Sequence, residues 1–255
     1  MSNRRSWDSI AAGTLATAVC LLVWEALGRL TGVRPIMLPL PTQIVRELIT
    51  DWSWYLGHAG YTLMTTMIGF LLSVVGGVLI GALVVGSRFA ERFVYPMIVA
   101  LNSVPKVAVA PLFVIWLGTG PEPKVAIAFL IAVFAVIVDT IHGLRSVPPD
   151  VLDLSRVLRG TWYHSFFKIK LPSAMSSIVA GMKVAIGLAL VGAIVGEFVS
   201  AQRGLGYVIM SAQGTFDTPR VFAALVLLAL MGMLLYGALV WFERWAMPWR
   251  EPSEL

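Results

Sequence analysis

Catalysis needs nucleophiles, acids, bases or metal ligands that can converge, and this chain of 255 residues offers few. Its histidines are His58, His142 and His164, and the single Cys20 excludes both an internal disulfide and a C-x-x-C pair. Asp139 and His142 stand three apart and could share a helix face, as the start of a metal site or as polar anchors at a helix end. Nucleotide chemistry can be tested at the lysines, because a P-loop needs a Gly-rich turn followed by Lys-Ser or Lys-Thr to wrap phosphates and hold magnesium. Lys106, Lys124, Lys168, Lys170 and Lys183 are each followed by Val, Ile or Leu, so ATP is not handled by this chain. The remaining polar groups of interest sit inside apolar runs, where charge is costly and marks a path or a pairing. Asn102, Ser103 and Lys106 cluster around Pro105, and an ammonium beside freed backbone would suit an anionic solute. Lys106 could equally pair with an acid such as Glu197 or snorkel, and Glu197 reads as a gate or as a helix-end salt bridge.

The elements that must position these residues are membrane helices. The chain is 58% hydrophobic and 13% charged, with a mean hydropathy of +0.84, outside the range of soluble domains. Only helices or closed barrels satisfy their backbone in lipid. Barrel strands alternate apolar and polar residues, whereas the runs here are unbroken, so the fold class is all-α and polytopic. Six segments have the length to span, at about 10–27, 60–86, 93–117, 124–141, 173–197 and 221–242. The first passes Cys20 without a small-residue cleavage site and reads as a retained span. The third carries Pro96, Pro105 and Pro111 and is expected to be bent or broken. Ser73, Gly77 and Gly81 recur every four residues in the second span, as do Gly192 and Gly196 in the fifth, and such small residues let helices pack closely.

Starting inside, this topology puts 12 of the 19 Lys and Arg residues on the cytoplasmic side, with both termini there. The net charge of +5 then needs no nucleic-acid partner, and the lipid bilayer is the surrounding medium. Residues 142–172 become a cytoplasmic loop far longer than a bare helix connection of about 2–8 residues, and long loops of this kind carry function. After Pro148-Pro149, Asp150 and Asp153 fit a first helical turn, and Leu152, Leu154, Val157 and Leu158 form an apolar stripe ending near Arg159. Gly160 reads as the stop, and Phe166, Phe167 and Ile169 make a second short apolar face before Leu171-Pro172. An amphipathic element on lipid headgroups and a docking surface for a cytoplasmic partner both fit this pattern.

Asp153, Arg156, Gly160 and Ile169-x-Leu171-Pro172 resemble the E-A-A-x-x-x-G-x(9)-I-x-L-P loop of permease subunits in binding-protein-dependent ABC importers. Aligned on Leu171-Pro172, the family's glutamate falls on Asp153, its alanines on Leu154 and Ser155, and its glycine on Arg159, with Gly160 one place later. Four further stretches, "LPLPTQIV", "LNSVPKVAVAPLFVIWLGTG", "GLRSVPPD" and "GLALVGAIVGEFVSAQRGLGYVI", resemble the nitrate, sulfonate and taurine branch of that family.

The resemblance implies a bacterial inner-membrane permease that acts as a homodimer. Two cytoplasmic ATP-binding subunits would hold ATP and Mg, a periplasmic solute-binding protein would deliver a small anionic or polar organic solute, and this chain would bind no cofactor of its own. It implies contacts with the ATPase from Asp153, Leu154, Ser155, Arg156, Arg159, Gly160, Phe166 and Phe167, a permease core over 60–249 preceded by an N-terminal span and outer segment (1–59), and a cytoplasmic tail (250–255). It also favours the fifth span for the dimer seam. The rival reading is a secondary transporter, but those folds often repeat their broken helices, and this sequence has one broken span without a second copy.

Overall fold

A computed structural model describes residues 2–200 and 202–248, with side chains from residue 15 onward and excepting that of Arg156. The 250–255 tail expected from the sequence lies outside the described residues. The order is α1 (Ser2–Thr31), α2 (Pro41–Thr50), α3 (Trp52–Gly86), α4 (Arg88–Asn102), a 3-10 turn (Lys106–Val109) leading into α5 (Ala110–Leu117), α6 (Pro121–Arg145), α7 (Pro149–Val157), α8 (Trp162–Ser165), a π turn (Phe166–Lys170) leading into α9 (Leu171–Ser200), α10 (Leu205–Gly214) and α11 (Thr218–Ala246). Among the described residues, α3, α6, α8 through α9, and α11 are each long and apolar enough to cross a membrane. The α4–α5 pair passes the same test with an 86° bend, giving four to five candidate crossings among the described residues against the six expected; the first expected span falls on α1, which is not one of them.

Local chemistry sets the boundaries. Ser87 caps α4, its hydroxyl accepting from Ala90 N–H at 3.4 Å, and Asp217 caps α11, accepting from Arg220 N–H. α6 opens with Pro121 and Glu122 and closes with His142 and Arg145, each charge suited to its helix end. Pro96 is accommodated inside α4, whereas Pro105 follows the break and fixes the extended conformation from which the 3-10 turn starts.

α6 is the centre of the bundle, and small residues set its packing. A side chain placed on Gly69, Gly77 or Gly81 of α3 would collide with Ala128, Val136 or Thr140 of α6, an offset that holds along both helices only if they run parallel. Against α9 the register is antiparallel: Gly192 meets Ala128, Gly196 meets Lys124, and Gly181 meets Asp139. Ser73 adds a hydrogen bond across the first interface, donating to Phe129 O at 3.1 Å. The small-residue stripes thus pack as expected, and their partner in both cases is α6. The face of the fifth span bearing Gly192 and Gly196 is therefore occupied within the chain and is unavailable as a dimer seam.

The parallel arrangement of α3 and α6 has a topological consequence. The chain leaves α3 at one end of the bundle and must enter α6 at the other, so the α4–α5 pair is a complete, broken crossing rather than a re-entrant loop. Phe70, Ala132, Val136, Ala185, Ala189 and Ala193 fill the space between α3, α6 and α9. Leu71, Leu72, Val75 and Leu79 of α3, with Leu230, Met233 and Leu234 of α11, point outward as a lipid-facing apolar surface.

Candidate functional site: a broken-helix cleft and a two-helix loop

Pro105 interrupts the third crossing near Lys106, and the ammonium turns back to the end of α4. Lys106 Nζ donates to Asn102 O at 2.9 Å and to Asn102 Oδ1 at 2.8 Å, and stands 4.7 Å from the centre of the Phe134 ring. These bonds replace the pairing with Glu197 considered from the sequence. Phe134 lies within one residue of the middle of α6, so the ammonium sits near the bilayer midplane, where it must face protein, water or solute. Ser103 is exposed and its hydroxyl donates within its own turn, to Val99 O at 3.3 Å. Asn102 and Lys106 line a cleft of about 410 Å3, shared with Ile131, Phe134, Asp139 and Leu188.

Glu197 does not join them. It is 1% exposed, and its two carboxylate oxygens accept from Thr62 Oγ1 at 2.8 Å and from Gly206 N–H at 2.7 Å. Thr62 Oγ1 in turn accepts from Leu205 N–H at 2.8 Å, and His58 Nδ1 accepts from Gly204 N–H at 3.0 Å. Three side chains, His58, Thr62 and Glu197, thus satisfy the amides of Gly204, Leu205 and Gly206 at the start of α10, which the helix itself leaves unpaired. Gly204 holds a φ of 110°, a conformation reserved for glycine, and a side chain there would run into the Glu197 carboxylate. As a path residue Glu197 is corrected by this geometry: it is a tie holding α3, α9 and α10 together.

Lys124, which the sequence places at the very start of the fourth span, is a functional-looking charge. It is fully buried, and its Nζ donates to Thr119 O at 2.7 Å, Gly120 O at 2.8 Å and Ser200 O at 2.7 Å. Three carbonyls take its three protons, including one at the C-terminal end of α9, where a cation complements the helix dipole. Among the described residues no ion pair joins Lys124 to Glu197, and no three His, Cys, Asp or Glu side chains gather to hold a metal.

At the opposite end of the bundle α7 and α8 form a compact loop. α7 ends in a left-handed residue, Arg159, at φ 53°, followed by Gly160, whose N–H donates back to Ser155 O at 2.8 Å. The left-handed position is the one onto which the family's glycine aligns. Gly160 is required for a different reason: a Cβ there would lie 2.8 Å from Ser155 O. Ser155 Oγ and Ser165 Oγ, 2.9 Å apart, join the two short helices, and Thr161 caps α8 by accepting from His164 N–H.

The site residues expected in this loop divide into two sets. Ser155 and Phe166 are buried, Phe166 stacking on Trp162 and packing against Leu144, Ala174 and Ile178, so neither can be a partner contact as expected. Asp153, Leu154, Arg159 and Phe167 are exposed, while the Arg156 side chain lies outside the described residues. Val157 at 79% exposure, Leu158, Trp162 and Tyr163 extend the exposed apolar surface, and the two aromatics were missed because their stripe is set by the turn at Gly160.

Residues 73–247 match the family described as binding-protein-dependent transport system inner membrane component. The chain is 35% identical to the formylaminopyrimidine transport permease protein of Halalkalibacterium halodurans over 249 residues, covering 97% of this chain and 99% of the relative. It is 33% identical to an aliphatic sulfonates transport permease protein of Bacillus subtilis, covering 95% and 88%, and 28% identical to the taurine transport system permease protein of Escherichia coli, covering 94% and 90%. Its fold is similar to a chain of the MetNI methionine ABC transporter in an inward-facing conformation, with a TM-score of 0.66 at 20% identity, covering 76% of this chain and 96% of that one. The broken crossing, the four to five candidate membrane helices and the two-helix loop fit this assignment, and the chain belongs to the inner-membrane permease components of binding-protein-dependent transport systems.

Proposed function

We propose that the chain is one half of a homodimeric importer channel, with a core over 60–249, powered by two cytoplasmic ATPase subunits and supplied by a periplasmic solute-binding protein. ATP and Mg belong to the ATPase subunits; this chain carries out no hydrolysis and binds no cofactor. The solute is a small anionic or polar organic molecule, a class that formylaminopyrimidine, aliphatic sulfonates and taurine, named for its relatives, all share. Asn102, Ser103 and Lys106 line the path, because an ammonium at the midplane cannot face lipid.

One observation carries the coupling role: a well-packed loop leaves Leu154, Val157, Leu158, Tyr163 and Phe167 uncovered at the cytoplasmic end of the bundle. A contiguous apolar surface of that kind on an ordered element marks an interaction site. Asp153 and Arg159 provide its charged rim. Force from the ATPase then reaches the bundle through the buried Phe166, which packs against Leu144 of α6 and against Ala174 and Ile178 of α9.

Asp153→Lys tests this reading. Reversing a charge at a partner interface costs several kcal/mol, on the order of complete loss of a modest complex, whereas binding to anionic headgroups would tolerate or favour the change. The variant is expected in the membrane without co-purifying ATPase, or with hydrolysis uncoupled from uptake. Retained assembly with fully coupled transport would remove Asp153 from the interface.

A further inference from the structure

Two opposite charges open onto the midplane cleft, and they do not bond each other. Lys106 donates two of its three N–H groups to Asn102, which leaves one for a ligand. Asp139 lines the same cleft from α6, five residues beyond Phe134 and so roughly 7–8 Å nearer the cytoplasmic end. Its carboxylate is half-buried and accepts no hydrogen bond from any described residue, although it lies about 9 Å inside the helix end by the same rise per residue. Gly181 of α9 makes room for it, since a side chain there would lie 2.9 Å from Asp139 Oδ2. Between the two charges the walls are apolar: Ile131, Phe134, Val138 and Leu188.

A carboxylate at this depth with no hydrogen bond, and with only the His142 ring one turn along α6 as an electrostatic neighbour, is costly unless a group carrying positive charge visits it. An anion alone would satisfy Lys106 and be repelled by Asp139, and a cation alone would meet the reverse. A molecule carrying both charges on a short apolar body satisfies both ends at once.

Resting on the permease reading above, we propose that this cleft is a transient solute subsite for a small zwitterion. Its anionic group is held by Lys106 Nζ, its cationic group by Asp139, and its carbon skeleton lies against Phe134 and Leu188. The site reads the orientation of the solute as well as its charge, the cationic end leading toward the cytoplasm.

The test uses the full-length permease with its ATPase subunits in nanodiscs, without the binding protein, and three probes of equal chain length: taurine, ethanesulfonate and ethylammonium. Saturation-transfer NMR titration should give taurine an apparent Kd about tenfold or more below either singly charged probe, the range expected for one charge-assisted hydrogen bond. Asp139→Asn should bring taurine to the level of ethanesulfonate, and Lys106→Gln should bring it to the level of ethylammonium. Equal affinity for taurine and ethanesulfonate, no binding of any probe, or discrimination that survives Asp139→Asn would each overturn the subsite. So would rescue of assembly by the Lys106→Glu, Asp139→Lys double variant after each single change disrupts it, because the charges would then be paired between two copies. ATPase co-purification and Mg-ATP hydrolysis, measured on the same preparations, separate the readings: their absence in the unmutated complex sinks the permease assignment, whereas their presence without probe discrimination sinks the zwitterion site alone.

Discussion

A buried carboxylate that accepts one hydroxyl and one backbone amide is costly to delete, because both donors are left dry. Glu197→Ala would strand Gly206 N–H and Thr62 Oγ1 at the start of α10, at about 1–3 kcal/mol for each unsatisfied group. The expected outcome is a lower unfolding midpoint in detergent and earlier proteolysis between α9 and α10, with coupled transport retained by the molecules that remain folded. If Glu197 were a gate, transport would instead change at unaltered thermal stability. The sequence marks Glu197 as costly and leaves both roles open, because its partners, Thr62 and Gly206, come from α3 and α10, which nothing in their local spacing connects. Lys124 is hidden for a related reason. Its carbonyl partners at 119, 120 and 200 are backbone groups with no side-chain signature, and a lysine following Pro123 at the start of a span reads as an end charge until α9 is packed against it. Asp139 reads from the sequence as a polar anchor or part of a metal site at a helix end, and only the fold reveals that it shares a cleft with Lys106.

Between elements, close approach is the organising constraint, and it can be tested within one helix. A Cβ on Gly192 would fall 2.6 Å from the Ala128 Cα, while nothing lies within 4 Å of a Cβ on Gly187. Gly192→Leu must therefore part α6 from α9 and should cost upwards of about 3 kcal/mol, the severe end of overpacking, seen as loss of monodisperse protein from detergent. Gly187→Leu should be recovered folded; equal damage from both would mean that α9 does not pack on α6 in this register. Periodicity makes the small-residue faces legible at 73, 77 and 81 and at 192 and 196, since four-residue spacing puts them on one side of a helix. It cannot name the facing helix, and so α6 as the common partner emerges only from the fold. The bend in the third crossing was legible because proline removes a backbone donor wherever it stands. The inward turn of Phe166 was not, because an aromatic that opens a π turn follows that turn's wider period rather than a 3.6-residue one.

At the scale of the molecule, orientation follows from charge once the ends of the bundle are fixed. Parallel α3 and α6 with antiparallel α9 and α11 place the α3–α4 turn, the α7–α8 loop and the end of α11 on one side, with the 32–51, 118–120 and 202–217 segments on the other. The first side carries Arg88, Arg92, Arg145, Arg159, Lys168, Lys170 and Arg244 among its short connections. On the second, Lys124 is bonded to carbonyls and Arg220 to Glu47 and Asp51, so part of its positive charge serves the fold. Lysine and arginine in short loops are retained in the cytoplasm, which predicts that the α7–α8 loop lies inside the cell, where an ATPase could reach it. Single cysteines in a Cys20→Ser background test the orientation directly. Ser155 is a poor position because it is buried against Gly160, whereas Leu158 is 73% exposed in the loop and Gln202 is exposed at the other end. In intact cells a membrane-impermeant thiol reagent should label Gln202→Cys and spare Leu158→Cys, with both labelled once the membrane is permeabilised. Labelling of Leu158→Cys alone in intact cells would invert the molecule, place the loop outside, and remove the physical route by which ATP hydrolysis could drive the bundle.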